Sequence, residues 1–127
     1  MSYIIDSCAW IDFFGHKKHF NTISRFLTDD LARTNQIILA ELTPVAKVNK
    51  ELKLISCLSG IKVVPLTINW EEIIDVQVMC LKSGMNKVGL LDIAIVQNAK
   101  QNKLGIFSTD KHIRFLSRKM GVTLLDS

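Results

Sequence analysis

Short apolar runs alternate along the chain with longer segments in which apolar residues recur at helical spacing, and this alternation limits the fold more than any other feature. The runs lie near residues 2–6, 36–40, 61–66, 104–108 and 121–125. Polar residues do not interrupt them at every second position, which is typical of strands covered on both faces. The sequence therefore predicts an α/β fold in which helices flank both faces of a parallel sheet.

Two segments between these runs have the apolar spacing of amphipathic helices. The first runs from Phe20 to Leu31 and the second covers residues 45–58. Pro44 lies just before the second segment, and proline is tolerated in the first turn of a helix but not in its interior. The second helix is therefore predicted to begin close to Glu41.

Capping signals mark three further helices. Asn69 with Glu72 three residues later resembles a capping box, which opens a helix through about residue 81 and leaves Glu72 on a solvated face. A loop with two glycines then leads into a helix that starts near Asp92. The last helix is predicted over residues 111–119, where a following glycine ends it.

The composition indicates a folded chain with a modest positive charge. The chain has 127 residues, of which 48% are hydrophobic, and we expect residues 1–127 to form a single domain. The net charge of +4 suits an anionic partner such as nucleic acid. A protein without such a partner can carry the same balance by chance, and charge alone favours neither interpretation.

The cysteines and the amino-terminal segment predict a cytoplasmic protein with reduced thiols. Cys8, Cys57 and Cys80 are odd in number and widely spaced, which argues against a disulfide scaffold or a structural zinc site. The first residues lack a basic region followed by a long apolar run, and no stretch approaches 18 apolar residues. We therefore expect no membrane segment.

Four carboxylates follow or adjoin apolar segments. They are Asp6, Glu41, Asp92 and Asp110. In open parallel sheets, ligands bind beyond the carboxyl ends of the strands, near the point where the strand order reverses. Asp6, Glu41 and Asp110 are predicted to lie at such ends, while Asp92 comes from the first turn of a neighbouring helix. We therefore expect the four acids to meet.

A cluster of four acids requires compensation by cations. Two unit charges about 4 Å apart repel by roughly 4 kcal/mol at an effective dielectric constant near 20. Oxygen ligands without histidine or cysteine favour Mg²⁺ or Mn²⁺ over Zn²⁺. Such ions activate water and neutralise a leaving oxygen in phosphoryl chemistry, so hydrolysis of a phosphodiester is the leading hypothesis.

Each acid also has a purely structural explanation. Asp92 and Asp110 have the positions of helix N-caps, Glu41 that of a first-turn residue matched to the helix dipole, and Asp6 that of a turn former. Asp126 also follows an apolar run, which shows that chance can place an acid there, and it is left outside the set. For Glu41, Asp92 and Asp110 taken singly, the structural explanation is favoured over a role in a metal site. For Asp6 the two explanations are about even.

The acids lie within motifs whose order and spacing resemble those of PIN domains, and most closely those of the VapC ribonuclease toxins of bacterial toxin and antitoxin pairs. The resemblance runs from Tyr3 to Leu125. The motifs are Asp6-Ser7-Cys8-Ala9-Trp10-Ile11-Asp12-Phe13-Phe14, Glu41-Leu42, Gly89-Leu90-Leu91-Asp92 and Ser108-Thr109-Asp110-Lys111-His112.

The resemblance implies a five-stranded parallel sheet and a Mg²⁺- or Mn²⁺-dependent endoribonuclease, with Asp6, Glu41, Asp92 and Asp110 as metal ligands and catalytic acids. It implies a supporting hydrogen-bond role for Ser108, and the hydroxyl of Ser7 is a candidate to orient Asp6 or a bound water. Its further implications are an RNA substrate, a small cognate antitoxin protein as partner, and a homodimer.

The chain departs from the pattern of the family at two places. Ile95-Val96-Gln97-Asn98 stands where small alanines are common, which predicts altered packing of that helix. His112 stands where a further acid is often found, so a fifth carboxylate is in doubt. The four main acids are intact, and we therefore expect activity to be retained.

An RNA backbone also needs cations beyond the reacting phosphate. The candidates lie in predicted loops and first turns, and for each of them a solvated surface position is the more ordinary explanation; they are Lys17, Lys18, Lys47, Lys87, Lys111 and Arg114. Trp10, Phe13 and Phe14 follow Asp6 at helical spacing and are predicted to pack in the core. Asp12 is either a surface residue of the same helix or a residue that supports the acids, and the surface position is favoured.

Two other classes of function compete with the nuclease. A receiver-like signalling domain would place an acceptor aspartate after the third strand, but Val64-Pro65-Leu66 stands there, which argues against it. The other is a PIN-like protein that binds RNA or a partner without cleaving it. The intact set of acids disfavours this second alternative without excluding it.

Overall fold

Five strands and seven helices make up residues 1–125, the part of the chain that the computed structural model describes; Asp126 and Ser127 lie outside it. The strands are β1 Tyr3–Ile5, β2 Ala32–Thr34, β3 Lys62–Val63, β4 Gly105–Phe107 and β5 Leu124–Leu125. The helices are α1 Ser7–His16, α2 Phe20–Thr28, α3 Gln36–Val48, α4 Leu52–Ser59, α5 Trp70–Lys82, α6 Leu90–Gln101 and α7 Lys111–Met120.

All strand pairs are parallel, in the order β3-β2-β1-β4-β5. The predicted α/β fold with a five-stranded parallel sheet is thus confirmed. All three residues of β4 are buried, and because successive side chains point to opposite faces, both faces of the sheet centre are covered. The strand order reverses beside β1, between β1 and β4, so the crevice expected for a ligand lies where these two strands end.

The strand predicted at residues 36–40 is wrong. These residues begin α3, and the strand that pairs with β1 on this side is β2, which begins four residues earlier. A short apolar run fits a buried strand and a buried helix equally well, and here Asn35 decides, because its side chain accepts a hydrogen bond from the backbone N–H of Ile38 at 3.0 Å and caps a helix.

The start predicted for this helix is also wrong. α3 begins at Gln36, so Pro44 lies in the helix interior and Glu41 lies in the middle of α3. The periodicity over residues 45–58 belongs to two helices, because α3 ends at Val48 and α4 begins at Leu52. Lys50, between them, has a φ of 53° and breaks the helical path.

Only half of the predicted capping box forms at α5. The Asn69 side chain accepts from the backbone N–H of Glu72 at 3.1 Å, as predicted. The Glu72 carboxylate does not return to Asn69 but accepts from Gln97 Nε2 at 2.7 Å and from Lys100 Nζ at 2.6 Å. Glu72 therefore ties α5 to α6 instead of lying on a solvated face, and these bonds hold its pKa below the ordinary value.

The four residues that depart from the family pattern in α6 are all buried. Ile95 and Val96 join the hydrophobic core, whereas Asn98 links three elements through its side chain. Asn98 Oδ1 accepts from Asn35 Nδ2 at 3.0 Å, and Asn98 Nδ2 donates to the carbonyl of Pro65 at 2.8 Å. This buried network fixes the start of α3, the helix that carries Glu41.

The aromatic residues of α1 pack as predicted. Trp10 is fully buried, and Phe13 and Phe14 are half-buried against the core. The Trp10 and Phe14 rings stack at 6.2 Å between centroids. No helix among residues 1–125 has the length and apolarity needed to cross a membrane.

Candidate metal centre

Asp6 and Ser108 meet at the crevice between the two central strands. Asp6 follows β1 and Ser108 follows β4, and the backbone N–H of Asp6 donates to the carbonyl of Phe107 at 3.0 Å. Both side chains are buried. Ser108 Oγ donates to Asp6 Oδ2 at 2.9 Å and accepts from the backbone N–H of Asp110 at 3.0 Å. The serine therefore holds the carboxylate of one strand end against the loop of the next.

Cys8 and Thr109 also contact this pair, which the sequence analysis missed. Cys8 Sγ donates to Asp6 Oδ2 at 3.3 Å and lies 3.5 Å from Ser108 Oγ. Thr109 Oγ1 donates to Cys8 Sγ at 3.3 Å. Their positions in the sequence could have pointed to them, because Cys8 lies two residues after Asp6 and Thr109 directly precedes Asp110.

Asp110 is the N-cap of α7. Its Oδ1 accepts from the backbone N–H groups of His112 at 2.8 Å and Ile113 at 3.1 Å. The capping explanation for this acid is therefore correct, and it does not compete with a role in the centre. Capping holds the Asp110 side chain beside the end of β4. The backbone N–H of Asp110 also donates to Ser108 Oγ there.

Asp92 and Glu41 approach from two helices. Asp92 is half-buried in the first turn of α6 and accepts from the backbone N–H of Gly89. Glu41 is exposed and lies within α3, so the prediction that it follows a strand is wrong. The hydroxyl of Ser7 bonds to Glu41, whereas the backbone N–H of Ser7 bonds to Asp6.

The four carboxylates act on one another electrostatically. Burial is the main cause that raises the pKa of Asp6, with a smaller increase from Asp110, although bonds from Ser108, Cys8 and Ser7 oppose it. The pKa values of the other two acids are also raised mainly by burial. The negative charges of Asp6 and Asp92 raise the pKa of Glu41 further. The charge of Asp110 raises the pKa of Asp92 further in the same way.

The donor set fits a hard divalent cation. All four groups are carboxylates, and their mutual repulsion is what a cation relieves. Among the residues that the structure describes, no three acidic, histidine or cysteine side chains are arranged to hold a metal ion. Mg²⁺ does not require such a cage, because it usually keeps several water ligands and uses one or two protein carboxylates.

Other candidate residues lie elsewhere. Asp12 is half-buried and faces His19, with 3.7 Å between its Oδ2 and His19 Nε2, so its predicted surface position is only partly correct. Among the basic candidates, Lys87 and Lys111 line one cavity. Lys17 and Lys18 lie between α1 and α2, Lys47 in the last turn of α3, and Arg114 in α7.

The raised pKa values predict how the stability of the metal-free protein depends on pH. A carboxyl group that binds its proton more tightly in the folded than in the unfolded state stabilises the fold below its ordinary pKa and loses this contribution as the pH rises. For Asp6, Glu41 and Asp92 the loss begins near the ordinary values of 3.8 and 4.5. In EDTA, we therefore expect the melting temperature to fall as the pH rises above about 4.

Circular dichroism melts over a pH series measure this dependence. Asp92→Asn should flatten the decline, and Asp75→Asn, which removes an exposed charge from α5, should leave it unchanged. Equal slopes for wild type and Asp92→Asn would contradict the prediction.

Comparison with known proteins agrees with this fold. The family profile of the PIN domain matches residues 3–119. A crystal structure of PAE2754 from Pyrobaculum aerophilum aligns with a TM-score of 0.60 and 13% identity, over 95% of this chain and 96% of that one. At this identity the likeness concerns the fold alone, and no curated protein matches the chain. The profile covers nearly the whole chain, which therefore belongs to the PIN domain family.

Proposed function

We propose that the protein is a Mg²⁺- or Mn²⁺-dependent endoribonuclease that hydrolyses RNA phosphodiester bonds. PIN domains are generally nucleases. The proposal is supported by the buried position of Asp6 where the strand order reverses, and by the electrostatic coupling of Asp6, Glu41, Asp92 and Asp110. Such a concentration of negative charge is unfavourable for stability and is typical of a site built for a cation.

The residues of the chain have separable roles in this proposal. Asp6, Glu41, Asp92 and Asp110 would hold the metal, directly or through its water ligands, and the metal when bound supplies an activated water and neutralises charge on the phosphate. Ser108 positions Asp6 through the 2.9 Å bond to Oδ2, and the first turn of α7 orients Asp110. Two of the acids are thus held in place before any substrate arrives, which lowers the cost of assembling the site.

Basic side chains are proposed to contact the RNA backbone around the centre. Phosphate contacts by lysine and arginine supply affinity without reading sequence. The proposed set comprises Lys17, Lys18, Lys47, Lys87, Lys111 and Arg114.

We further propose a biological setting for this activity. The chain would act as a single cytoplasmic domain, as the toxin of a toxin and antitoxin pair, in agreement with its motif resemblance and its three free thiols. An apolar cavity of about 170 Å³, lined by Ile11, Phe14 and Val45 as well as by Glu41, supports a small protein antitoxin bound next to the centre. Exposed Trp70 and Ile74 on α5 support a homodimer.

The proposed nuclease activity is tested by cleavage of total RNA with and without divalent cations. We expect Mg²⁺ or Mn²⁺ to support cleavage, EDTA to abolish it, and Asp92→Asn to reduce it at least about 100-fold, the loss that roughly 3 kcal/mol of transition-state stabilisation represents. Asp75→Asn is the matched control and should retain full activity. Sequencing of the product ends identifies the RNA that is cut.

Robust metal-stimulated cleavage by Asp92→Asn would overturn the proposed site. RNA binding without cleavage under all metal conditions would instead favour a PIN-like binding protein. Expression with and without the neighbouring small reading frame tests the toxin proposal, because growth arrest should appear only when the candidate antitoxin is missing.

A further inference from the structure

A cavity lies between the loop that follows α5 and the first turn of α7. Its volume is about 200 Å³, far above the roughly 10–15 Å³ needed to admit one water molecule, so it has room for a group of several atoms. We name it the lysine cavity; its lining residues are Gly84, Met85, Asn86, Lys87, Lys111 and His112.

Two cations face this cavity without an ionic partner. Lys87 and Lys111 are exposed, and neither forms a salt bridge within residues 1–125. Other cations differ in this respect, because Arg25 pairs with Asp29 and Lys100 with Glu72. The lysines come from segments 24 residues apart, yet they line one concave surface, where an anion can be approached from two sides.

The lysine cavity adjoins the acidic centre. Lys111 follows Asp110 directly, and the backbone N–H of His112 donates to Asp110 Oδ1 at 2.8 Å. His112, a lining residue, also interacts electrostatically with Asp92. The carboxylate of Asp110, which caps α7, and the Lys111 side chain, which lines the cavity, therefore come from adjacent residues at the start of α7.

We propose that the lysine cavity binds a single backbone phosphate of the nucleic acid, adjacent to the phosphate that reacts at the acidic centre. A polyanionic chain cannot lie over four carboxylates unless its neighbouring charges are met by cations, and Lys87 and Lys111 are the cations that this geometry provides. Two lysines around one phosphate act as point charges and do not read the base. This inference rests on the proposed function, and it specifies where the RNA backbone lies next to the acidic centre.

The test is the salt dependence of binding between a short fluorescent single-stranded RNA and the full chain in EDTA, where no cleavage is required. For single strands the slope of log affinity against log salt is about 0.7 per phosphate contact, so Lys87→Ala with Lys111→Ala, which removes the contact to one phosphate, should reduce it by about 0.7. Lys62→Ala, which removes an exposed cation from the start of β3, should leave the slope unchanged.

A second measurement asks whether the two lysines share one phosphate. Neutral methylphosphonate linkages are introduced into the RNA one position at a time. One position should weaken binding to the wild type but not to the double variant, and in the substrate it should neighbour the cleaved bond. Equal losses for both proteins at every position, or an unchanged salt slope, would overturn the inference.

The outcomes separate this inference from the proposed function. If the wild type cleaves RNA but the double variant keeps the full salt slope, the protein has the nuclease activity without the phosphate subsite. A wild type that cleaves nothing, but whose salt slope falls in the double variant, has a phosphate site without the proposed nuclease activity. In that case the site is a nucleic-acid contact of a binding protein, and its proposed place beside a reacting phosphate is overturned.

Discussion

Asp6→Asn is expected to reduce RNA cleavage at least about 100-fold, the effect of losing roughly 3 kcal/mol of transition-state stabilisation. Asp6 is the buried member of the four acids, and Ser108 Oγ already holds its Oδ2 at 2.9 Å. The amide keeps the shape and the hydrogen bond to Ser108 but removes the charge that a cation needs. Single-turnover cleavage at saturating metal measures the loss.

The same change should stabilise the metal-free protein at neutral pH. Burial disfavours the charge of Asp6, so an uncharged amide of equal size removes this penalty. We therefore expect the melting temperature of Asp6→Asn in EDTA to exceed that of the wild type, while activity is lost.

Ser108→Ala is the informative comparison for Asp6→Asn, because it keeps the carboxylate but removes its orienting bond. It should retain part of the activity. Full cleavage by Asp6→Asn would contradict a metal role for Asp6, and a melting temperature below that of the wild type would contradict the electrostatic argument.

Asn98→Ala is expected to be strongly destabilising. It leaves Asn35 Nδ2 and the carbonyl of Pro65 without their hydrogen-bond partner, in a region where Asn35 and Asn98 are both buried. Each unpaired buried group costs about 1–3 kcal/mol, so we expect the free energy of unfolding to fall by about 3 kcal/mol. Urea denaturation with a constant m-value measures this change.

Asn102→Ala is the matched control for Asn98→Ala. It removes the same kind of side chain one turn later in the sequence, where the amide is exposed and bonds to the carbonyl of Asn98 at 2.8 Å. Its cost should be about 0.5–1 kcal/mol. Equal losses for the two variants would contradict a special role for the buried network.

The alternation of apolar runs predicted the parallel sheet because strands covered on both faces need little more than apolar residues, and β1 and β4 lie where this signal is strongest. Asp6 and Ser108 could be placed at the sheet edge because each directly follows one of these strands. The cap position of Asp110 was available as well, since an aspartate before a helical segment favours capping.

The error at residues 36–40 arose because a short apolar run does not distinguish a helix from a strand. The decisive contacts are tertiary: Asn35 bonds to Asn98, 63 residues away, and its side chain then caps α3. The partners of Glu72 were missed for the same reason, because Gln97 and Lys100 lie on another helix. The lysine cavity likewise requires the packing of two segments, which spacing along the chain does not reveal.

The bond between Ser108 and Asp6 joins residues 102 positions apart, and this separation has a consequence for synthesis of the protein. At ribosomal rates of roughly 5–20 residues per second, a growing chain carries its first acid for about 5–20 s before the residue that orients it is made. β4 must then pair with β1 before the centre exists. An unfinished chain is therefore expected to lack the proposed nuclease activity, which requires nearly the whole polypeptide to be translated and its two distant strands to have joined.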